Sequence, residues 1–445
     1  MHKGIVVYIS NGTMDFHNNI IKIVESQGCT GCGMCKAICP IKAIQFKQNG
    51  MGNIYPSVND NCIECGECLD VCPWNNNLPI LDVEDKWVGQ ILRSLVGKSL
   101  NDSIYRNSQS GGVVTQILYM LFEEHSIDAA IVCKSQYGFP FPNNKAQIIT
   151  SKESLSHTQG SIYTPIDVLS ILDDIGEYSS VALVALPCQV ESIRTAQAKG
   201  LFLNVKYVIG LICDRILGQE LNTVLCAGAE QKVPYRIEYR AKKYGYKHSP
   251  IVIHMADKDS ILINPVKRHA LKDFYTHPRC YACFDKLNIY ADIVCGDPWN
   301  IQSDVIDWNN GASLIIVRTE LGDSIVNRLL QSDYIATQEI PKEVVVEAQG
   351  VEFRKKRCIA AIGKYQKKNW SYPYWLCQIA NGETTNEKTD FVEKCIDDYL
   401  KHEAMSVNDR LEEALLIVKK KEKEVQNHNA LHKRICRKLL KLLKL

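Results

Sequence analysis

Long apolar runs are missing from this sequence. Nowhere do eighteen or more apolar residues follow one another, so no segment suits a bilayer-spanning helix. An excess of either charge is missing too: 52 Lys and Arg face 50 Asp and Glu, a net +2 that argues against a nucleic-acid binder and against an acidic-tail protein. The opening stretch "MHKGIVVYISNGTMDF" has an apolar run too short for a secretory signal core. No solenoid-type repeat recurs, and no Ser-His-Asp or metalloprotease pattern is visible. What remains is a chain of 445 residues, 46% hydrophobic, able to bury a substantial core in two or more domains.

Cysteine is abundant instead. Nineteen cysteines, an odd number, cannot all pair as disulfides, and without a secretory signal the expected compartment is the cytoplasm, where many thiols point to metal. "CTGCGMCKAICP" sets Cys29, Cys32, Cys35 and Cys39 at C-x2-C-x2-C-x3-C-P, and "CIECGECLDVCP" repeats the spacing at Cys62, Cys65, Cys68 and Cys72. This is the bacterial two-cluster ferredoxin pattern, in which the fourth cysteine of each run serves the other cluster. Three thiolates on one tight loop reach three corners of a cube, and the fourth must approach from elsewhere. The spacing therefore assigns Cys29, Cys32, Cys35 and Cys72 to one 4Fe–4S cluster, and Cys62, Cys65, Cys68 and Cys39 to the other. Structural zinc also accepts four thiolates, but its motifs usually come as two C-x-x-C pairs.

The rest of the chain reads as mixed α/β, or α+β. The expected organisation is a two-cluster ferredoxin-like domain (1–80), a mixed and charged connector (81–105), an α/β domain (106–350), a peripheral extension (351–395) and a basic helical tail (396–445). "SQSGGVVTQILYML" reads as a glycine turn feeding an amphipathic helix; "DAAIVCK", "SSVALVALPCQ" and "LNVKYVIGLICD" read as buried strands, the last two ending in tight turns. "PIVIHM", "DSILIN", "ADIVCGD" and "ASLIIVRT" read as further, more hairpin-like strands. In the tail, ten Lys or Arg face two Glu from Lys419 onward, and Leu431, Ile435, Leu439 and Leu442 share one helical face. Such a helix docks on this protein or a partner, or rests weakly on an anionic membrane surface.

"RCYACFD" adds a bare C-x-x-C, Cys280 and Cys283, far from the ferredoxin-type runs. Cys188 in "ALPCQ" and Cys213 in "GLICD" stand at strand ends, where an α/β sheet presents ligand-binding groups. Together these are four thiols, enough for a third cluster. Cys295 competes for a place, His277 does so more weakly, and zinc is a rival occupant. Cys133 reads as a small buried hydrophobe.

In that order, "SQSGGVVT", "LPCQ", "LIC", "RCYACFD" and "ADIVCGDPW" resemble the beta subunits of coenzyme F-420 hydrogenases and dehydrogenases, over roughly residues 28–350. The resemblance implies an iron–sulfur flavoprotein that binds FAD and holds a third 4Fe–4S cluster through Cys188, Cys213, Cys280 and Cys283. It implies an oxidoreductase exchanging electrons with a ferredoxin or another redox protein. Its small-molecule substrate would be the deazaflavin coenzyme or another organic acceptor, as in related bacterial and chlorophyll-pathway reductases. Clusters carry single electrons and flavin converts them to pairs, which explains why both occur in one chain. Ser110, Gly111 and Gly112 are the leading flavin contacts, since glycines at a helix start admit a diphosphate. Ser161, Tyr163 and Asp297 are further candidates, and no catalytic acid or base is assigned. Two departures stand out. Ile162 in "GSIYTP" replaces a family lysine, removing a positive charge and favouring another organic acceptor over the deazaflavin, and Ala185 replaces a frequent glycine. The alternative function is an electron-transfer subunit with no substrate of its own.

Overall fold

The computed structural model describes residues 18–442 except 76, 79, 80, 137–142, 228–233, 247, 248, 256–258, 308 and 381–388. The short apolar run near the N-terminus lies outside the described residues.

Strands β1 (Ile44–Gln48) and β2 (Ile54–Val58) form an antiparallel hairpin between the two cysteine runs. The short helices Met34–Ile38 and Glu67–Asp70 carry the third cysteine of each run, and each is entered through a left-handed glycine, Gly33 and Gly66. At Gly33 the need is steric as well: φ is +100° and a Cβ would meet the backbone nitrogen of Ser170 at 2.4 Å. The same close approach lets Leu169 N donate to Cys32 O at 2.9 Å, fixing the first cysteine loop against the larger body.

That body holds β3 (Arg93–Ser99), β4 (Ala129–Gln136), β5 (Asn143–Ile149), β6 (Val181–Ala185) and β7 (Val205–Leu211). It continues with β8 (Pro234–Glu238), β9 (Ile251–Met255), β10 (Ser260–Ile263), β11 (Ile293–Gly296), β12 (Ser313–Val317) and β13 (Ile335–Glu339). Eight of them make one mixed sheet, ordered β13-β3-β12-β11-β7-β6-β4-β5, and β8–β10 form a separate antiparallel sheet. The mixed α/β class expected from sequence is thus present. The core strands β4, β6, β7 and β11 run parallel. Apolar residues run almost continuously along them because both faces are covered, as parallel strands require. Parallel β6, β7 and β11 share one carboxyl edge, from which Pro187–Cys188, Ile212–Cys213 and Asp297 depart.

Two expected boundaries need correction. Residues 81–105 are more than a connector: β3 pairs with both β12 and β13 inside the main sheet. Only Leu95 and Val96 are strongly apolar in β3, so Arg93, Ser94, Gly97 and Lys98 mask its signal. The extension 351–395 is not peripheral either. The helix Val351–Lys367 buries Arg354, Arg357 and Cys358 against the loop that holds Cys280 and Cys283, and Tyr365 against Trp74 and Gln27 O.

The tail is docked over its first turns. Arg410, 1% exposed, makes a two-pronged ion pair with Glu220, and Tyr399 OH accepts from both Asn49 Nδ2 and Asn53 Nδ2 of the turn joining β1 to β2. The helix Val407–Leu442 runs to the last described residue, but the side chains of Leu431, Ile435, Leu439 and Leu442 lie outside the described residues. Among the described residues no helix is long and apolar enough to cross a membrane.

Candidate iron–sulfur and ligand sites

Cys29, Cys32, Cys35 and Cys72 line one cavity, while Cys39, Cys62, Cys65 and Cys68 line a second. Each run thus lends its fourth cysteine to the other's cavity, although Cys68 also reaches the wall of the first. Among the described residues no three His, Cys, Asp or Glu side chains stand close enough together to hold a single metal ion. The thiols instead stand around cavity walls. Burial pushes the Cys29 thiol up to about 12 and Cys68 to about 11, and raises Cys32, Cys35 and Cys72 as well. Anything that binds them as thiolates must therefore displace protons. Of these eight, only Cys65 is exposed, beside Ile63 at 64% exposure.

The first cavity is not confined to the ferredoxin-like segment. Cys188, Glu191, Ser192 and Arg279 also line it. Cys32 Sγ lies 3.3 Å from Ser192 Oγ, which donates at 3.0 Å to Cys188 O.

Cys188 lies within electrostatic reach of Cys213 and Cys283, and Cys213 within reach of Cys280 and Cys283. Burial raises the Cys188 thiol, and Cys213 and Cys283 raise it further; burial also raises Cys213, helped by Cys280 and Cys283. Two arginines on the helix Val351–Lys367, each 2% exposed, tie the loops together. Arg354 Nη2 donates at 2.7 Å to both Cys213 O and Asp214 O, and its Nη1 reaches Cys280 O at 3.3 Å. Arg357 Nη2 donates to Asp214 O at 3.0 Å and to Cys280 O at 3.4 Å. Burial alone would raise the Asp214 carboxyl, but Arg357, Arg215, Arg354 and Lys272 outweigh it and hold it well below the carboxylate range.

The two competitors are otherwise employed. Cys295, 4% exposed, packs in a core cluster with Ile209, Ile293 and Ile315. His277 Nδ1 accepts from Arg279 N and caps the helix Pro278–Tyr281, while burial lowers its imidazole to about 3. Cys133 is half-buried, and burial raises its thiol to about 12.

Around the glycine turn, Ser110 Oγ lies 3.1 Å from Asp297 Oδ1 and donates to Ala312 O at 2.6 Å. Asp297 also accepts from Tyr246 OH at 2.9 Å and pairs with Arg240 at 2.8 Å. Gly111 has a packing reason: a Cβ there would meet Gly97 O and Ser313 N at 2.5 Å, and its own N–H already donates to Ser313 Oγ. Gly112 starts the helix Val113–Glu123 in the left-handed region. Tyr163 lies edge-on to Tyr239 with the Arg268 guanidinium 4.6 Å from its ring centroid, and within electrostatic reach of Arg240, the partner of Asp297. Half-buried Ser161 precedes Tyr163, next to Gly160, where a Cβ would lie 3.7 Å from Gln109 Nε2. Ile162 packs against the main core cluster. Positive charge reaches the region nonetheless, through Arg240, Arg268 and Lys242, whose Nζ donates to Tyr105 O and Ser110 O. Buried Gln109 Oε1 and Arg240 Nε have no hydrogen-bond partner among the described residues.

Sequence reasoning missed Arg240, Glu191, Ser192, Arg279, Arg354 and Arg357. Arg279 directly precedes Cys280, and Glu191 and Ser192 follow Cys188 by three and four positions, one helical turn; those signals were available. Nothing local marks Arg354 or Arg357.

A two-cavity thiol segment built onto a mixed sheet whose strand ends carry further thiols defines an iron–sulfur electron-transfer protein. Residues 28–76 match the 4Fe-4S dicluster domain, and residues 94–173 and 178–343 match the N-terminal and C-terminal models of the coenzyme F420 hydrogenase/dehydrogenase beta subunit. The chain belongs to this family of beta subunits. It is 24% identical over 337 residues to a subunit of the F(420)H(2) dehydrogenase of Methanosarcina mazei, covering 73% of this chain and 88% of the relative. It is 27% identical over 342 residues to coenzyme F420-dependent sulfite reductase of Methanocaldococcus jannaschii, covering 72% of this chain and 49% of that enzyme. A chain of the F420-reducing [NiFe] hydrogenase complex from Methanosarcina barkeri aligns with a TM-score of 0.48 at 21% identity, over 64% of this chain and 94% of that one.

Proposed function

We propose that this chain is an iron–sulfur flavoprotein oxidoreductase. In this reading it has two ferredoxin-type 4Fe–4S sites, a third at Cys188, Cys213, Cys280 and Cys283, and FAD near Ser110 and Asp297. The observation that carries the reading is the shared wall of the first cavity, where Cys188 meets Cys29, Cys32, Cys35 and Cys72. Adjacent sites for one-electron carriers are what a relay needs. Clusters supply one-electron transfer, and flavin, when bound, supplies the exchange between single electrons and pairs.

The chain's own residues fit these roles. Exposed Cys65 makes the second cavity the face on which a ferredoxin or another redox protein delivers or collects electrons. Arg354 and Arg357 hold the loops of the third thiol set by their carbonyls. The unpartnered Gln109 Oε1 and Arg240 Nε, with Lys242 and Arg268 nearby, suit a polar ligand carrying negative charge. Gly111 N–H is already used, so a diphosphate there would rest on side-chain cations more than on the glycine backbone. The small-molecule substrate is a deazaflavin or another organic acceptor; Arg268 over Tyr163 offers the charge that Ile162 does not. A second reading, an electron-transfer subunit without its own substrate, is favoured by the relative named as one part of a dehydrogenase.

Anaerobic purification with iron, sulfide and flavin measured on one sample tests the proposal. About twelve irons and one FAD per chain are expected. About eight irons without flavin would contradict it, and zinc in place of iron would do so at once.

A further inference from the structure

Between the first cavity and the third thiol set lies a buried cation, Arg279. Arg279, 2% exposed, precedes Cys280, lines the cavity of Cys29, Cys32, Cys35 and Cys72, and places its guanidinium 4.1 Å from the Trp74 ring centroid. Its only carboxylate partner among the described residues is Glu191, wholly buried, at 3.4 Å. The pairing is incomplete: Arg279 Nε and Glu191 Oε1 are buried with no hydrogen-bond partner, although both side chains line the cavity. Burial pushes the Glu191 carboxyl up to about 8 despite Arg279, so near neutral pH the buried guanidinium lacks a fully ionised partner, a cost that packing alone does not account for. Arg279 also lies within electrostatic reach of thiols on both sides: Cys29 and Cys72 on one, Cys188 and Cys283 on the other.

We propose that Arg279 is a positioning charge for electron transfer across this junction, stabilising the added electron on both the Cys29/Cys32/Cys35/Cys72 site and the Cys188/Cys213/Cys280/Cys283 site, with Glu191 opposing it. The inference rests on the reading that both thiol sets hold clusters. Reducing a cluster adds one negative charge. A fixed cation lining the same buried wall, shielded from water and salt, favours that charge far more strongly than a surface cation does. Both junction sites therefore have their reduction potentials raised together, which keeps the step between them nearly level. The Cys39/Cys62/Cys65/Cys68 site lines a separate cavity that Arg279 does not reach.

The test is a redox titration of the anaerobic full-length protein, followed by electron paramagnetic resonance, for the parent, Arg279→Gln, Arg279→Lys and Glu191→Gln, at pH 9 so that the Glu191 carboxyl is ionised. Arg279→Gln should shift two of three cluster signals to lower potential by at least about tenfold in the equilibrium, about 59 mV for a one-electron couple, leaving the third in place. Arg279→Lys should restore both, and Glu191→Gln should shift the same two upward. Equal shifts in all three, no shift, or Lys behaving like Gln would overturn the proposal and leave Arg279 as a packing strut. If Arg279→Gln loses iron, the sign of the Glu191→Gln shift decides. A parent with fewer than three signals would contradict the three-cluster reading itself, and the inference would fall with it.

Discussion

Ser192 Oγ stands between two thiol sites: it is 3.3 Å from Cys32 Sγ and hydrogen-bonded to the carbonyl of Cys188. One serine thus connects a ferredoxin-type loop to the helix that leaves the end of β6. The relationship fixes which half of the two-cluster segment faces the sheet. The set of Cys29, Cys32, Cys35 and Cys72 is inner, and the set of Cys39, Cys62, Cys65 and Cys68 is outer.

The crossed lining of the two cavities predicts how single ligand losses group. Cys72→Ser should abolish the same cluster signal as Cys32→Ser, and Cys39→Ser the same signal as Cys65→Ser. Each variant should lose up to about four irons. Signals grouped by run, with Cys72 going with Cys65, would refute the assignment.

Arg354 and Arg357 predict an effect at a distance along the chain. Replacing Arg354 by Met strips the hydrogen bond from Cys213 O inside the protein and leaves Asp214 O and Cys280 O with Arg357 alone of the two arginine donors. Each buried carbonyl left unsatisfied costs about 1–3 kcal/mol. The variant should melt several degrees lower and lose about four irons, with both ferredoxin-type signals intact. Retention of all iron would show that the loops are held by other means.

His277 gives a pH dependence with a definite sign. Burial, reinforced by Arg279, lowers its folded pKa to about 3, below the ordinary value near 6.5. The unfolded chain therefore binds a proton that the folded chain refuses between these values. Stability is full above pH about 6.5 and is lost as pH falls toward 3. His277→Asn keeps a side-chain acceptor for Arg279 N, as helix caps prefer, and has nothing to titrate. Melting temperatures of parent and variant should diverge from pH 7 to pH 5, the parent falling further; parallel curves would contradict the assignment.

The outer site predicts charge-dependent electron entry. Asp60, Glu64 and Glu67 are exposed around Cys65. Reduction by a small cationic mediator should slow several-fold in Glu64→Lys/Glu67→Lys at low salt, and the difference should shrink at high salt. Equal rates at both salt concentrations would place electron entry elsewhere.

Much of this is legible in the sequence, for identifiable reasons. Thiol spacing in the two runs carries its own geometry, so the two sets that share cavities can be written down from "CTGCGMCKAICP" and "CIECGECLDVCP". Strands β6 and β7 announce themselves by apolar runs ending in Leu-Pro-Cys and Leu-Ile-Cys. Other features have no local trace. β3 is more than half polar yet buried between two neighbours, so periodicity passes it over. Arg354 and Arg357 look like any basic residues on a helix face until the fold sets them under the Cys280–Cys283 loop. The Ser-Gly-Gly turn reads as a ligand cradle, whereas Gly111 is required by the approach of β3 and β12. A glycine needed for packing and one needed for a phosphate look alike in sequence.

The central claim is that Cys188, Cys213, Cys280 and Cys283 form a third cluster site against the inner one. Spin-quantified electron paramagnetic resonance of the fully reduced protein, parent against Cys283→Ala with iron counted on the same samples, tests it most directly. The account predicts about twelve irons falling to about eight. One signal should be lost, with it the magnetic splitting it imposes on the inner cluster, while the outer signal stays unchanged. Full iron content and an unaltered spectrum in Cys283→Ala would contradict it.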